Sequence, residues 1–505
     1  MILSKENLKN IKGSHILVPE SSLFDLPEKV LQFGTGVLLR GLPDYFIDRA
    51  NRKGIFNGRI VVVKSTSHGG VSAFEQQDSL YTLCIRGIED GEIVKENIIS
   101  SAISRVVTAD QDWLSVLEFA QNPALKVIIS NTTEVGIALV KEQISQNPPA
   151  SFPAKLLAVL YERYKKFKGQ GEGGLVVIPT ELVPDNGKKL EGIVQELARF
   201  NELEDGFFTW LDLNVEFCSS LVDRIVPGKP DQATLAALEE ELGYQDQLLS
   251  VAEPYRLWAI EGSKHAASLL SFSEADAGVV ITDDIERFRE LKVRLLNGTH
   301  TLSCGIAVLA KINTVKDGMT DQLLKAYIKE LMELEIGPAI PYKIDKEATL
   351  AFSNTVADRF ANPFIEHLWI NITVQYTMKM KIRILPLLLN YQKLFHAVPQ
   401  HIAFGFAAFL FFMKSEEKDG KYYGGSGGLH YLINDDSAAY FNEKLHAEPS
   451  EEAYLDAVFN DHDFWGTDLN MLPGFKEAVF AYYGRIQQDG IKLALQKELI
   501  SGKEG

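Results

Sequence analysis

The sequence predicts two successive domains: an α/β domain built on a mainly parallel sheet over residues 1–275, then a mostly α-helical domain over 276–505. Length is the first observation, since 505 residues exceed what one hydrophobic core of ordinary size accommodates. The second is that short apolar runs in the first half each end in a glycine or polar turn, the pattern of strands in an open α/β sheet. The third is a change of period. From about Ala275 the strand pattern fades, and helical repeats take over at 284–309 and 321–334.

The first run, Lys29-Val30-Leu31-Gln32-Phe33, leads into Gly34-Thr35-Gly36, an amphipathic stretch over 37–51 and a second run over 59–63. Strand, glycine turn, helix, strand is the order of a βαβ unit. A strand over 125–130 runs into Asn131-Thr132-Thr133-Glu134, and one over 174–179 runs into Thr180-Glu181-Leu182-Val183-Pro184-Asp185-Asn186-Gly187. Doubly wound sheets hold their ligands at such C-terminal turns. The apolar run 402–413 falls short of the roughly 20 residues a bilayer crossing needs, and His401 and Lys414 bound it, so it reads as a buried helix. The stretch Gly424-Gly425-Ser426-Gly427-Gly428 has Tyr422, Tyr423 and Tyr431 close by and reads as a surface loop inside one domain.

A net charge of −17 argues against nucleic acid and against an anionic membrane as partners. Cys84, Cys218 and Cys304 stand far apart in apolar surroundings and read as buried residues of a reducing compartment. Residues 1–15 lack the apolar core of a signal peptide, so the expected location is cytoplasmic. The sequence leaves the oligomeric state open, a monomer included.

Glycines at Gly34 and Gly36, with Thr35 between them and Val37 opening a helix, suit a dinucleotide pyrophosphate: the turn is tight and the helix offers unpaired N–H groups. The turn is equally compatible with a structural role. Leu39 stands where the third glycine of the usual fingerprint would be, and Arg40 follows it. In place of an acidic residue after the second strand stands Lys64-Ser65-Thr66-Ser67-His68, which leaves both NAD and NADP open.

The most informative stretch is Arg289-Glu290-Leu291-Lys292-Val293-Arg294-Leu295-Leu296-Asn297-Gly298-Thr299-His300. On an ideal α-helix of about 100° per residue, Lys292, His300 and Asn297 fall at roughly 0°, 80° and 140°, within one face. Carbonyl reduction by hydride needs a proton donor and dipoles that polarise the carbonyl. Lys292 fits the donor, Asn297 the polarising amide, and His300 a substrate or proton-path contact. The competing reading has Lys292 snorkelling, Asn297-Gly298 breaking the helix and His300 packed in the core.

The pattern Lys292-x-x-x-x-Asn297-x-x-His300 after Gly34-x-Gly36-x-x-x-Arg40 resembles the long-chain polyol dehydrogenases that include mannitol 2-dehydrogenase, over nearly the whole chain. The segments Val222-Asp223-Arg224-Ile225 and Asp358-Arg359-Phe360-Ala361-Asn362-Pro363 share the resemblance. Ser130 to Glu134, Pro179 to Leu182 with Asn186-Gly187, and Ala252 to Trp258 resemble its uronate branch. That resemblance implies a Rossmann-like N-terminal domain, a helical C-terminal domain and no metal. It also implies the NADH-dependent reduction of D-tagaturonate to D-altronate in hexuronate breakdown, with a small-molecule sugar acid as substrate. By residue it implies Lys292 as acid/base, Asn297 as polarising group and His300 as partner. Gly34, Thr35, Gly36, Val37, Arg40, Lys64, Asn131 and Thr132 fall to the cofactor, and Glu181, Asp223, Arg359 and Asn362 to the substrate. Glu181-Leu182-Val183 replaces the Asp-Asn-Leu of mannitol-type members, and Arg289 replaces a glutamate. A cation there suits a carboxylate substrate.

Tyr161 and Lys165 have the spacing of a short-chain dehydrogenase dyad, but their charged neighbours mark a solvated helix face. Asp461-His462-Asp463 lacks a metal-ligand spacing. The rival functions are fructuronate or mannitol-type dehydrogenation and a catalytically silent dinucleotide sensor, which has no need of Lys292.

Overall fold

In a computed structural model of the chain, the described residues are 1–65, 71–132, 136–425 and 428–501. They form two compact units, one of Met1–Arg86 with Ile93–Ile285, the other of Gly87–Glu92 with Glu286–Gly505. The division falls after Ile285 instead of after 275, because the strand Val279–Thr282 pairs in parallel with Leu257–Glu261. Four residues of strand after Ala275 were too few to register as a repeating pattern.

In the first unit the strands Glu28–Phe33, Arg59–Lys64, Ile103–Thr108, Val127–Ser130, Leu175–Pro179 and Val215–Phe217 make one all-parallel sheet. Numbered in chain order, they lie 3-2-1-4-5-6, so the order reverses between the first and the fourth. Alternation along each strand explains why both faces are covered. Val30, Ile60, Val62, Val127 and Ile129 feed one core, while Leu31, Phe33, Val61, Val63 and Ile128 feed the other. Each such fully buried aliphatic contributes about 1.5–3 kcal/mol. Two smaller sheets lie beside it. One joins Ile16–Leu17, Glu92–Ser100, Tyr81–Glu89 and Ser250–Ala252, the other Ser220–Asp223, Leu257–Glu261 and Val279–Thr282.

The second unit is helical around a single large core, with one three-stranded antiparallel sheet, Ser415–Lys418, Lys421–Gly424 and Tyr431–Ile433. The glycine-rich stretch connects two of these strands and so lies within the unit; its Ser426 and Gly427 fall outside the described residues. The apolar run is the helix Gln400–Phe412, buried along almost its whole length. Among the described residues no helix is long and apolar enough to cross a membrane. Cys84, Cys218 and Cys304 are free and buried, as expected.

Candidate active site

Sheet order decides where the first unit offers a site. The first and fourth strands are the neighbours at which the order reverses, so their C-terminal loops flank a crevice. Phe33 pairs with Val63 and Ser130, and beyond it Gly34 N donates to Val63 O (3.1 Å) while Asn131 N donates to Phe33 O (3.1 Å). Gly34 has φ +127°, and a Cβ there would stand 2.8 Å from Asn131 O and 2.9 Å from Leu39 Cδ1. Only glycine fits. Leu39, at the place of the absent third glycine, is fully buried under the turn.

Gly36 differs. Its backbone is extended at φ −63° and ψ 155°, it precedes the helix Val37–Gly41, and a Cβ would meet nothing within 4 Å. The space beside the turn is open, as a bound pyrophosphate requires. Thr35 and Val37 on either side are half-buried.

A polar network missed in the sequence underlies this turn. Gln32 Nε2 reaches Gly34 O and Asp44 Oδ2, both at 3.4 Å, and burial pushes the Asp44 carboxyl up to about 8. The signal was visible: a glutamine interrupts the apolar run Val30-Leu31-Gln32-Phe33.

Three expectations are revised here. Arg40 does not line the turn with its charge. Its guanidinium lies buried over the rings of Phe74 (5.7 Å) and Tyr81 (5.6 Å) with Nη2 3.3 Å from Ser250 Oγ, because Leu39-Arg40 lies on the inward side of a five-residue helix. Lys64, expected at the cofactor in the loop after the second strand, is the buried last residue of that strand. Ser65 Oγ is buried without a hydrogen-bond partner among the described residues, and Thr66, Ser67 and His68 lie outside them. Glu181 is committed to its own loops. One oxygen accepts from Thr132 N (2.8 Å) and Oγ1 (2.9 Å), the other from Ser130 Oγ (3.1 Å), so it orders the loop after the fourth strand.

Asn131 Nδ2 reaches Thr180 Oγ1 at 2.9 Å, which ties the fourth-strand loop to the fifth. Thr133 and Glu134 lie outside the described residues. Asp223 is buried at the end of its strand, and next to it Arg224 donates to Gly41 O (2.7 Å) at the end of the helix that follows the turn.

In the second unit Lys292, Asn297 and His300 share one unbroken helical run, but not an ideal one. Glu286–Leu291 is α-helical, Lys292–Gly298 is a π-helix and Thr299–Leu309 is α-helical again. Asn297 and Gly298 do not break the helix; they widen it. With i→i+5 bonding Asn297 stands to Lys292 as an i+4 neighbour stands in an α-helix, nearly above it, which replaces the roughly 140° separation expected from regular geometry.

Of the two other π-turns among the described residues, Leu331–Ile336 and Met380–Ile384, the latter packs against the first, and two arginines brace that pair reciprocally. Arg294, ion-paired to Glu290, donates to Ile382 O (2.8 Å) and Arg383 O (2.9 Å), and Arg383 Nη1 returns to Asn297 O (3.4 Å) and Thr301 Oγ1 (3.2 Å).

His300 stacks on Phe360 with ring centroids 4.1 Å apart and meets His367 edge-on at 5.3 Å. Its Nε2 is buried without a partner among the described residues. Burial, followed by the charges of His367, Arg359, Arg383 and Lys379, holds its pKa well below the ordinary value, so the ring is neutral. Arg359 is buried on the helix Lys346–Phe360, and just past that helix Asn362 Oδ1 accepts from Phe364 N (3.0 Å). Arg289, expected to supply the cation for an acidic substrate, instead ion-pairs with Glu286 one turn earlier on its own helix.

The other candidates fall away. Lys165 ion-pairs with Glu162 while Tyr161 OH donates to Glu204 (3.1 Å), an ordinary surface network. Asp461 caps a short helix through Phe464 N.

Residues 28–274 match the mannitol dehydrogenase Rossmann domain and 284–487 the mannitol dehydrogenase C-terminal domain. An altronate oxidoreductase of Halalkalibacterium halodurans is 39% identical over 499 residues, 96% of this chain and 96% of its own. One of Bacillus subtilis is 36% identical over 482 residues, 95% of this chain and 96% of its own. Among solved structures, a substrate-free D-sorbitol dehydrogenase matches with a TM-score of 0.77 at 20% identity, covering 98% of this chain and all of its own. Pseudomonas fluorescens mannitol 2-dehydrogenase, solved with NAD and D-mannitol, matches at 0.66 and 21%, covering 99% of both chains. The chain therefore belongs to the mannitol dehydrogenase family, as an oxidoreductase acting on the CH–OH group of its donor.

Proposed function

We propose that the chain reduces D-tagaturonate to D-altronate, reversibly, with NAD as its dinucleotide. One observation carries the chemistry: a lysine and an amide placed nearly above one another by a π-turn, with a neutral histidine one turn on whose Nε2 is open. The names of the relatives at 36–39% identity support the substrate. The open space at Gly36 supports a dinucleotide at the first unit's crevice, held by the Gly34 to Val37 turn and the Asn131-Thr132 loop. The burial of Lys64 supports NAD, since among the described residues that end the second strand no ammonium stands on the surface to meet a 2′-phosphate.

The nicotinamide supplies hydride; proton handling and polarisation fall to this chain. Lys292 delivers a proton to the carbonyl oxygen and recovers it in the reverse reaction, a role worth about 10²–10⁴-fold. The Asn297 amide donates to the same oxygen as charge develops on it. His300, held neutral, offers Nε2 to a substrate hydroxyl. Asp223, Arg359 and Asn362 are assigned to the remaining hydroxyls.

The test is oxidation of NADH and NADPH by the purified protein with D-tagaturonate, D-fructuronate and D-fructose side by side. Preference for tagaturonate with NADH is expected. Turnover of fructose alone overturns the substrate, and dinucleotide binding without turnover of any of the three favours a sensor. Lys292→Ala is expected to lower kcat by about 10³-fold, and turnover near wild type would remove Lys292 from the mechanism.

A further inference from the structure

Around His300 the second unit gathers the positive charges of Arg359, Arg383 and Lys379. Arg383 is half-buried, yet its two hydrogen bonds go to neutral oxygens, Asn297 O and Thr301 Oγ1, and both leave from Nη1. Nε and Nη2, the edge a carboxylate grips bidentately, have no acceptor among the described residues. Arg163 shows what saturation looks like: its guanidinium reaches the carbonyls of Gly173, Ala120, Asn122 and Leu125. Arg294, Arg256 and Arg52 each pair with a carboxylate. The group whose charge favours that of Arg383 is the Cys304 thiol, which burial pushes up to about 12 and keeps neutral.

Four residues before Arg383, Lys379 is half-buried with its ammonium on Ile372 O (2.8 Å). The acid that favours its charge, Asp435, is engaged with Thr377 N (2.7 Å) and Ser437 N (2.8 Å). Two cations so spaced on one helical run repel each other unless an anion joins them. Buried charge without a counter-charge is costly, and a fold retains it where a ligand provides the missing sign.

We propose that Arg383, assisted by Lys379, is the seat of the substrate carboxylate beside Asn297 and His300, and that it sets the preference for sugar acids over neutral sugars. The same Nη1 contact ties Arg383 to the backbone carbonyl of Asn297, so carboxylate recognition and the residue assigned to carbonyl activation share one support. This deepens the proposed function and rests on its placing of Asn297 and His300 at the substrate.

The test compares wild type, Arg383→Gln, Arg383→Lys and Lys379→Gln. Gln keeps a neutral donor toward Asn297 O, and Lys keeps the charge. D-Gluconate is used as a sugar-acid probe and D-glucitol as its neutral counterpart, each as a competitor of the reduced substrate, with NADH affinity measured separately by fluorescence. We expect gluconate to compete with wild type and to weaken by on the order of 10- to 100-fold in Arg383→Gln. Arg383→Lys recovers most of that loss, Lys379→Gln weakens gluconate several-fold, and glucitol inhibition and NADH affinity change little. Equal gluconate inhibition of wild type and Arg383→Gln overturns the proposal. So does a loss confined to NADH affinity, which would assign the charge to a dinucleotide phosphate. Should Arg383→Gln not fold, Lys379→Gln and Arg383→Lys decide: undiminished gluconate inhibition in the first together with abolition in the second contradicts a charge-based seat. A wild type that reduces only neutral ketoses but still binds gluconate through Arg383 sinks the proposed substrate while leaving this seat standing.

Discussion

Two glycines in one turn have different reasons for being glycine. Gly34 is imposed by the fold, through its φ of +127° and the Asn131 carbonyl 2.8 Å from any Cβ, whereas Gly36 has an allowed backbone and empty space beside it. Gly34→Ala is expected to lower apoprotein stability by about 1–3 kcal/mol, read as a denaturation midpoint. Gly36→Ala is expected to leave that midpoint in place and to weaken NADH binding at least tenfold in a fluorescence titration. A loss of stability in both variants would remove the distinction. Single residues were also where reading the sequence was least complete. Lys292, Asn297 and His300 were singled out because they lie close together along the chain. Arg383 was not, being 86 residues from the Asn297 it touches, and Arg289 was read without its counter-ion, Glu286, on the preceding turn.

Among elements, the two braced π-turns explain why the helix carrying Lys292 was recognised and its geometry was not. Apolar periodicity is read against 3.6 residues per turn, and a seven-residue wide segment leaves the run apolar while rotating everything after it. Wide turns form poorer hydrogen bonds along the helix and persist where neighbours over-determine them. Here the neighbours are Arg294 and Arg383, each donating to carbonyls of the opposite turn. Arg294→Leu leaves the half-buried Glu290 without its partner and is expected to cost about 1–3 kcal/mol in a chemical denaturation, with kcat falling more than KM rises. An activity loss confined to KM would show that the brace does not position Asn297. Of the six parallel strands, the four at 28–33, 59–64, 127–130 and 175–179 were legible as mainly apolar runs ending in a glycine or polar turn, whereas Ile103–Thr108 and Val215–Phe217, interrupted by Ser104-Arg105 and Glu216, were not. The short strand Val279–Thr282 and the sheet at 415–433 carry too few residues for a period to emerge.

The whole molecule has a buried charge cluster far in sequence from the catalytic candidates. His401 Nδ1 meets Glu335 (2.9 Å) and Nε2 meets Glu330 (3.2 Å), with Glu498 at 3.7 Å, and Glu335 also accepts from the first backbone N–H groups of the helix Gln400–Phe412. Burial opposes the charge on His401, but Glu335, Glu498 and Glu330 together hold its pKa up at about 9. A histidine raised in the folded state stabilises fully below its unfolded value near 6.5, and that stability is lost as pH climbs through 9. The loss is on the order of 2–3 kcal/mol. The urea midpoint of the wild type is therefore expected to fall between pH 6.5 and 9, and that of His401→Gln to start lower and fall less. Parallel curves for the two proteins would refute the assignment. The two-domain organisation needed none of this detail, since chain length and a change of period were enough to reveal it.

The three cysteines have a consequence for handling as well as for packing. Cys84 lies in the strand Tyr81–Glu89, Cys218 just beyond Val215–Phe217, and Cys304 in the helix Thr299–Leu309. Burial raises all three thiols far above neutral pH, so none is an alkylation target while the fold stays closed. Each thiol is thus a stopwatch set in a different neighbourhood: its rate of capture by an alkylating reagent clocks how often that neighbourhood opens. The native enzyme should withstand mild oxidants and need no added reductant, and mass spectrometry of labelled peptides would rank the sheet, the strand end and the helix Thr299–Leu309 by the time each takes to breathe.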